Sequence, residues 1–144
     1  MSSIRKAFAA GLLLFIPMAW LAAVETSDTL VAKATKEITS ISAAEAKKMI
    51  DGKGAFILDV READEYLAGI IPGAVNIPRG LLEFSIAAKV KNQNQPIIVY
   101  CRKGGRGALA CQTLQIMGYT KVYNLTGGFT AWQAAAYPME KGKI

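Results

Sequence analysis

The stretch Ile97-Ile98-Val99-Tyr100-Cys101-Arg102-Lys103-Gly104-Gly105-Arg106-Gly107 (IIVYCRKGGRG) decides how the rest of the chain is read. Four apolar residues without polar alternation make a strand buried on both faces, not one with a face in water. The run breaks at Cys101 into a loop holding three glycines and three basic residues. GALACQTLQIMG, ending at Gly118, then reads as a helix. A strand that feeds a helix through a glycine-rich turn belongs to a parallel sheet, whose ligands bind beyond the carboxyl ends of the strands. Cys101 stands at such an end. Loop N–H groups and the helix dipole converge there on an anion. Arg102, Lys103 and Arg106 add positive potential, so the Cys101 thiol is expected to ionise below its free value of roughly 8.5. The matching ligands are small oxyanions such as thiosulfate, phosphate esters or arsenate, and the loop chemistry leaves all three open.

The flanking sequence repeats the same alternation. Ser42 and Glu45 form a capping box for a helix AAEAKKMI that Gly52 ends. AFILDV (Ala55 to Val60) is a buried strand, and READEYLAG after it reads as a helix. IPGAVNIP (Ile71 to Pro78) frames a short β-prone piece between two prolines, Leu81 to Lys91 is an amphipathic helix, and Asn92 to Pro96 is a loop. Lys121 to Leu125 gives a further strand, and a last short helix falls around Ala131 to Ala136. The expected fold is α/β, a parallel sheet with helices on both faces.

The chain has 144 residues, 52% of them apolar and 19% charged, which suits one globular core. Its formal charge is +6. The basic residues are scattered apart from the cluster between Cys101 and Arg106, which fits a small anion better than nucleic acid. No histidine occurs anywhere, so Ser-His-Asp and Cys-His mechanisms are excluded and the commonest metal ligand is missing.

Arg5 and Lys6 precede Ala7 to Val24 (AFAAGLLLFIPMAWLAAV), eighteen uncharged, largely apolar residues. Residues 1–24 therefore read as a signal peptide cut near Leu21-Ala22-Ala23, or as an uncleaved N-terminal anchor. Leu21 is a poor minus-three residue for cleavage; Pro17 and the marginal length count against an anchor, and cleavage is the favoured reading. Either way the positive-inside rule delivers the chain beyond Val24 to the outside, so the protein is expected to be exported: periplasmic, or anchored to the inner membrane and facing the periplasm. Residues 25–37 (ETSDTLVAKATKE) read as a linker, and the domain is expected to span 38–144.

CRKGGRG resembles the active-site loop of the rhodaneses, Cys-Arg-x-Gly-x-Arg followed by a small residue. LDVRE (Leu58 to Glu62) resembles that family's strand-end motif. EYLAGIIPGAVNIP (Glu65 to Pro78) resembles its Gly-His-Ile-Pro-Gly-Ala-x-Asn-Ile-Pro segment, and MGYTKVYNLTGG with Ala131-Trp132 its closing motif. The resemblance runs from Ile38 to about Met139, with one departure: Ile70 stands where the family usually has histidine, which must alter hydrogen bonding at that turn. It implies a three-layer, five-stranded parallel sheet, a single-domain thiosulfate sulfurtransferase, a persulfide on Cys101, and neither metal nor organic cofactor.

The expected mechanism is double displacement, with sulfur taken from thiosulfate or a related donor and passed to cyanide or a thiol. The alternatives are a persulfide carrier serving a protein acceptor without significant thiosulfate turnover, and a cysteine-based phosphatase or arsenate reductase. The last would need five residues between cysteine and arginine, where this chain has four. Substrate is expected to meet the loop from Arg102 to Arg106, that is Arg102, Lys103, Gly104, Gly105 and Arg106, with Arg102 and Lys103 facing solvent. Arg106 has a second option, a pair with a carboxylate such as Glu65. Asp59 and Arg61 are expected to pair at the base of the loop. Cys111 reads as a small core residue. A Cys101–Cys111 disulfide is disfavoured, since a strand-end loop and a position more than a turn into the next helix seldom reach ~5.5 Å between Cα atoms. Trp132 and Phe129 read as core or lid packing, and Lys141 and Lys143 as a solvated tail.

Overall fold

A computed structural model describes residues 24–143. The apolar segment, apart from Val24, lies outside the described residues. No helix among those described is long and apolar enough to cross a membrane.

Five strands form one parallel sheet: β1 (Thr39–Ile41), β2 (Phe56–Asp59), β3 (Val75–Asn76), β4 (Ile97–Tyr100) and β5 (Val122–Leu125), in spatial order β1-β5-β4-β2-β3. The central β4 is buried at every position, as its unbroken apolar run predicts. Its register is set by Leu58 beside Val99 and Asp59 beside Tyr100 on one flank, and Ile98 beside Tyr123 on the other.

The helices are α1 (Ser27–Glu37), α2 (Ala43–Asp51), α3 (Ala63–Ala68), α4 (Leu82–Lys89), α5 (Gly105–Ile116) and α6 (Gly128–Ala134). Side chains alternate across the sheet. Leu58, Ile97, Val99 and Cys101 pack with Leu82 and Ile86 of α4 and Ala110, Cys111 and Leu114 of α5 on one face. Ile57, Ile98 and Tyr100 pack with Ala46 of α2, Tyr66 of α3 and Trp132 of α6 on the other. The capping box at α2 forms in both directions: the Ser42 hydroxyl accepts from the Glu45 N–H at 3.2 Å, and the Glu45 carboxylate accepts from the Ser42 N–H at 2.8 Å.

The linker expected at 25–37 is instead helix α1. Thr26 caps it by accepting the Thr29 N–H at 3.3 Å, and Ala34 is buried. A run of leucine, alanine and lysine favours helix. Its buried stripe is one alanine and a half-buried Val31, too narrow to show as periodicity. The folded unit therefore begins before Ile38. The strand Thr39–Ile41 comes next with no apolar run to announce it, since only Ile41 is buried. The last helix begins at Gly128, three residues before the expected Ala131.

At Ile70 the backbone exchanges two hydrogen bonds with Glu140, at 2.8 and 3.1 Å, while the side chain is buried among Tyr66, Phe129 and Trp132. Pro138 to Glu140 thus cross the turn as a strap, while Lys141 and Lys143 beyond them are exposed, as expected of a solvated tail. Glu140 also accepts the Gly73 N–H at 3.0 Å, and the Trp132 indole donates to the Pro138 carbonyl at 2.8 Å.

Candidate active site

β4 delivers Cys101 to the carboxyl edge of the sheet, and the loop after it returns at once into α5. Gly104 makes the return possible with φ +104, a conformation that side chains resist. Its N–H donates to Cys101 Sγ at 3.1 Å. Gly105 does not share that freedom; it is the first residue of α5 and has no positive φ, and it packs beside Val31, which a Cβ there would meet in ordinary contact at 3.5 Å. The first ladder bond of α5 runs from the Ala108 N–H to the Gly104 carbonyl at 2.9 Å, so the N–H groups of Gly105, Arg106 and Gly107 have no intrahelical acceptor. They add positive potential at the cysteine end of the helix.

The loop is also held from below. The N–H groups of Phe129 and Thr130 at the start of α6 donate to the Cys101 and Arg102 carbonyls at 2.8 and 3.1 Å, and the Thr130 hydroxyl donates to the Arg102 carbonyl at 3.0 Å. Gly128 allows this approach, with φ +58 and its α-carbon packed on the Cys101–Arg102 peptide. Such anchoring fixes the sulfur before any substrate arrives. Sequence reasoning does not reach Thr130 and Gly128 as loop supports, because their role depends on β5 and α6 lying beside β4.

Arg102 and Lys103 are exposed, as expected. Arg106 is not free to do so: its two terminal nitrogens donate to both carboxylate oxygens of Glu65, at 2.8 and 3.0 Å. The pairing holds the Glu65 carboxyl below its usual range and pushes the Arg106 guanidinium up. Asp59 and Arg61 form the expected pair, fully buried and bidentate, with Arg61 Nη2 2.6 Å from Asp59 Oδ2 and its second donor bond at the Gly69 carbonyl, 2.7 Å away. Burial pulls the Arg61 pKa down, but Asp59 overrides it and the net shift is upward. The guanidinium also lies 4.3 Å from the centre of the Phe129 ring. Asp59 and Arg61 thus tie the end of β2 to the turn at Gly69 and the Phe129 ring, and Glu65 holds Arg106 at the start of α5.

A cavity of about 740 Å³ opens beside the loop, walled by Arg61, Glu65, Arg102, Phe129, Thr130 and Lys141 among others. Cys111 lies on the core side of α5, fully buried, and burial pushes its thiol pKa up, with the neighbouring Cys101 adding to the shift. Neither cysteine is bridged.

A cysteine cradled at the carboxyl end of a central parallel strand, ahead of a helix and without any histidine, defines an α/β protein built for covalent transfer through sulfur. The family model of the rhodanese-like domain matches residues 42–135. The thiosulfate sulfurtransferase GlpE of Pseudoalteromonas translucida is 36% identical over 100 residues, covering 66% of this chain and 89% of that one. The human thiosulfate:glutathione sulfurtransferase is 31% identical over 105 residues, 65% of this chain and 91% of that one. Among solved structures, a Rhodopseudomonas palustris protein of unknown function, described as a possible tyrosine phosphatase, superposes with a TM-score of 0.74 at 30% identity, over 82% of this chain and 96% of that one. The chain belongs to the rhodanese-like domain family, and its sulfurtransferase relatives make sulfur transfer the activity of its class.

Proposed function

We propose that the protein is a thiosulfate sulfurtransferase that works by double displacement on Cys101, outside the cytoplasm. The Cys101 thiolate attacks the outer sulfur of thiosulfate; the S–S bond of the donor breaks, sulfite leaves with the electron pair, and Cys101-S-S⁻ remains. A cyanide ion or a thiolate then attacks the terminal sulfur and releases the Cys101 thiolate. The observation that carries this reading is the seat of Cys101 Sγ, which receives the Gly104 N–H at 3.1 Å in a loop whose carbonyls α6 has already tied down. Arg102 and Lys103, exposed at its rim, draw in the dianion. The neighbouring cavity is in the range of roughly 300–1,000 Å³ that receives organic ligands, room enough for a thiol acceptor as well as for cyanide.

The phosphatase reading fares worse on two counts. Four residues separate Cys101 from Arg106 where that chemistry needs five, and Glu65 already holds the Arg106 guanidinium that would have to clasp a phosphate. Intact mass decides: incubation with thiosulfate adds one sulfur atom to the protein, and cyanide then removes it as thiocyanate. Sulfur gained and passed only to a protein thiol would make the chain a carrier; no gain at all would reject the mechanism.

A further inference from the structure

α1 and α5 lie side by side and run in the same direction. Val31 packs at Gly105, and farther along the two helices Gln112 Nε2 donates to Glu37 Oε2 at 2.6 Å. Since α5 starts at the Cys101 loop, α1 also starts on the Cys101 face of the domain. Going back from Val31, about 6 Å of helix reaches Ser27, and at most about 10 Å of extended chain reaches Val24. The apolar segment 7–24 therefore joins the domain beside the reactive cysteine. The apolar side chains Val24 and Leu30, 92% and 44% exposed, lie at that end. The exposed Arg102, Lys103 and Lys141 sit on the same face, while the loops at Gly52–Gly54 and Lys91–Gln95 lie at the opposite edge of the sheet, where β2 and β4 begin.

The join is short. α1 is capped at Thr26, two residues after Val24, so the stretch that would serve a cut leader as a loose arm is already folded. Within the segment, Leu21 occupies the minus-three place of the best cut site, where a small side chain is required. We infer that segment 7–24 is retained as a membrane anchor and holds the domain with its Cys101 face turned to the bilayer, Arg102 and Lys103 opposing anionic headgroups. So short a spacer prevents the domain from turning over, and sulfur is exchanged within the gap between the loop and the membrane surface. The orientation is independent of which sulfur donor or acceptor the site uses.

The experiment uses the full chain with Cys101→Ser and Cys111→Ala, carrying a fluorophore on one new cysteine, Lys103→Cys at the loop or Lys91→Cys at the far end. Both proteins are produced with the N-terminal segment intact in expressing cells, purified from membranes, and reconstituted in phosphatidylethanolamine–phosphatidylglycerol vesicles containing a headgroup-quenching lipid. The expected result is resistance to carbonate extraction and quenching several-fold stronger at position 103 than at 91. Equal quenching, or stronger quenching at 91, overturns the orientation. Release by carbonate, or a mature N-terminus at or beyond residue 22, overturns the anchor and with it the inference.

Discussion

Gly128 rests against the Cys101 loop so closely that a methyl group on its α-carbon would stand 2.8 Å from the carbonyl carbon and oxygen of Arg102, and closer still to the carbonyl oxygen of Cys101. The same peptide groups receive the N–H groups of Phe129 and Thr130. The loop thus rests on the start of α6 through backbone groups and the Thr130 hydroxyl, and the fit depends on one residue having no side chain.

Gly128→Ala should therefore act on both stability and chemistry. The substitution meets a left-handed backbone, which costs a side chain roughly 1–2 kcal/mol, and an overlap with peptide atoms that cannot swing aside, worth about 1–3 kcal/mol. A fall in the urea midpoint equivalent to about 2–5 kcal/mol is expected, together with loss of most persulfide formation. An unchanged midpoint would mean that α6 does not support the loop.

The two cysteines should separate cleanly by reactivity. Cys111 is fully buried on the core side of α5 and its thiol resists ionisation; Cys101 is nearly as buried, at 2% exposure, but lies at the loop among unfilled N–H donors and exposed cations. Iodoacetamide at neutral pH should modify Cys101 and reach Cys111 only in denaturant, as peptide mass mapping will show. Cys101→Ser should keep the unfolding midpoint within about 1 kcal/mol of the parent, because a hydroxyl can still accept the Gly104 N–H, and should gain no sulfur from thiosulfate. Equal labelling of both thiols in the folded protein counts against this assignment.

The parts of the fold that the chain discloses are those whose signal is local. The buried run from Ile97 to Tyr100, the capping box of Ser42 and Glu45, and the turn at Gly104 after Cys101 each act within a few residues, and each is found where its chemistry puts it. β1 and α1 escape because their reasons are distant: Ser40 pairs beside Asn124, and Val31 packs on Gly105. The site divides the same way. Cys101 and its cations stand out by composition, and the Asp59–Arg61 and Glu65–Arg106 pairs come from placing charges near the loop. The supports at Gly128 and Thr130, and the strap from Pro138 to Glu140, exist only once β5 and α6 are folded beside β4.

The Glu65–Arg106 pair should make stability depend on acid. Its carboxyl lies below the ordinary value of 4.5, through the Arg106 hydrogen bond first, so the stabilisation is present above that value and disappears as pH falls through the lower, folded-state pKa. Both side chains are partly exposed, 24% and 36%, so solvent screening limits the effect to about 1 kcal/mol. Glu65→Gln should lose up to that amount at pH 7 and nothing at pH 2, measured by urea denaturation at each pH. A difference from the parent that persists unchanged at pH 2 would trace to packing, not to the ion pair.

Gly107 and Asn124 offer the sharpest test of how the loop is seated. A Cβ on Gly107 would stand 2.5 Å from Asn124 Oδ1, and that oxygen is buried without a hydrogen-bond partner among the described residues. Gly107 is helical and its φ is not positive, so alanine there would otherwise favour the helix by roughly 0.5–1 kcal/mol. In the native background the overlap should dominate, and Gly107→Ala should destabilise by about 1–3 kcal/mol. Asn124→Ala removes the obstructing oxygen and gives up no hydrogen bond at it, so the same glycine substitution made on top of it should become neutral or stabilising. The expected coupling is about 2 kcal/mol, large for a pair with no bond between them. Urea unfolding of the parent, both single variants and the double variant measures it directly, and the rate of sulfur uptake from thiosulfate reports whether the loop returns to its working geometry. If Gly107→Ala costs the same in both backgrounds, Asn124 is not what keeps position 107 free of a side chain.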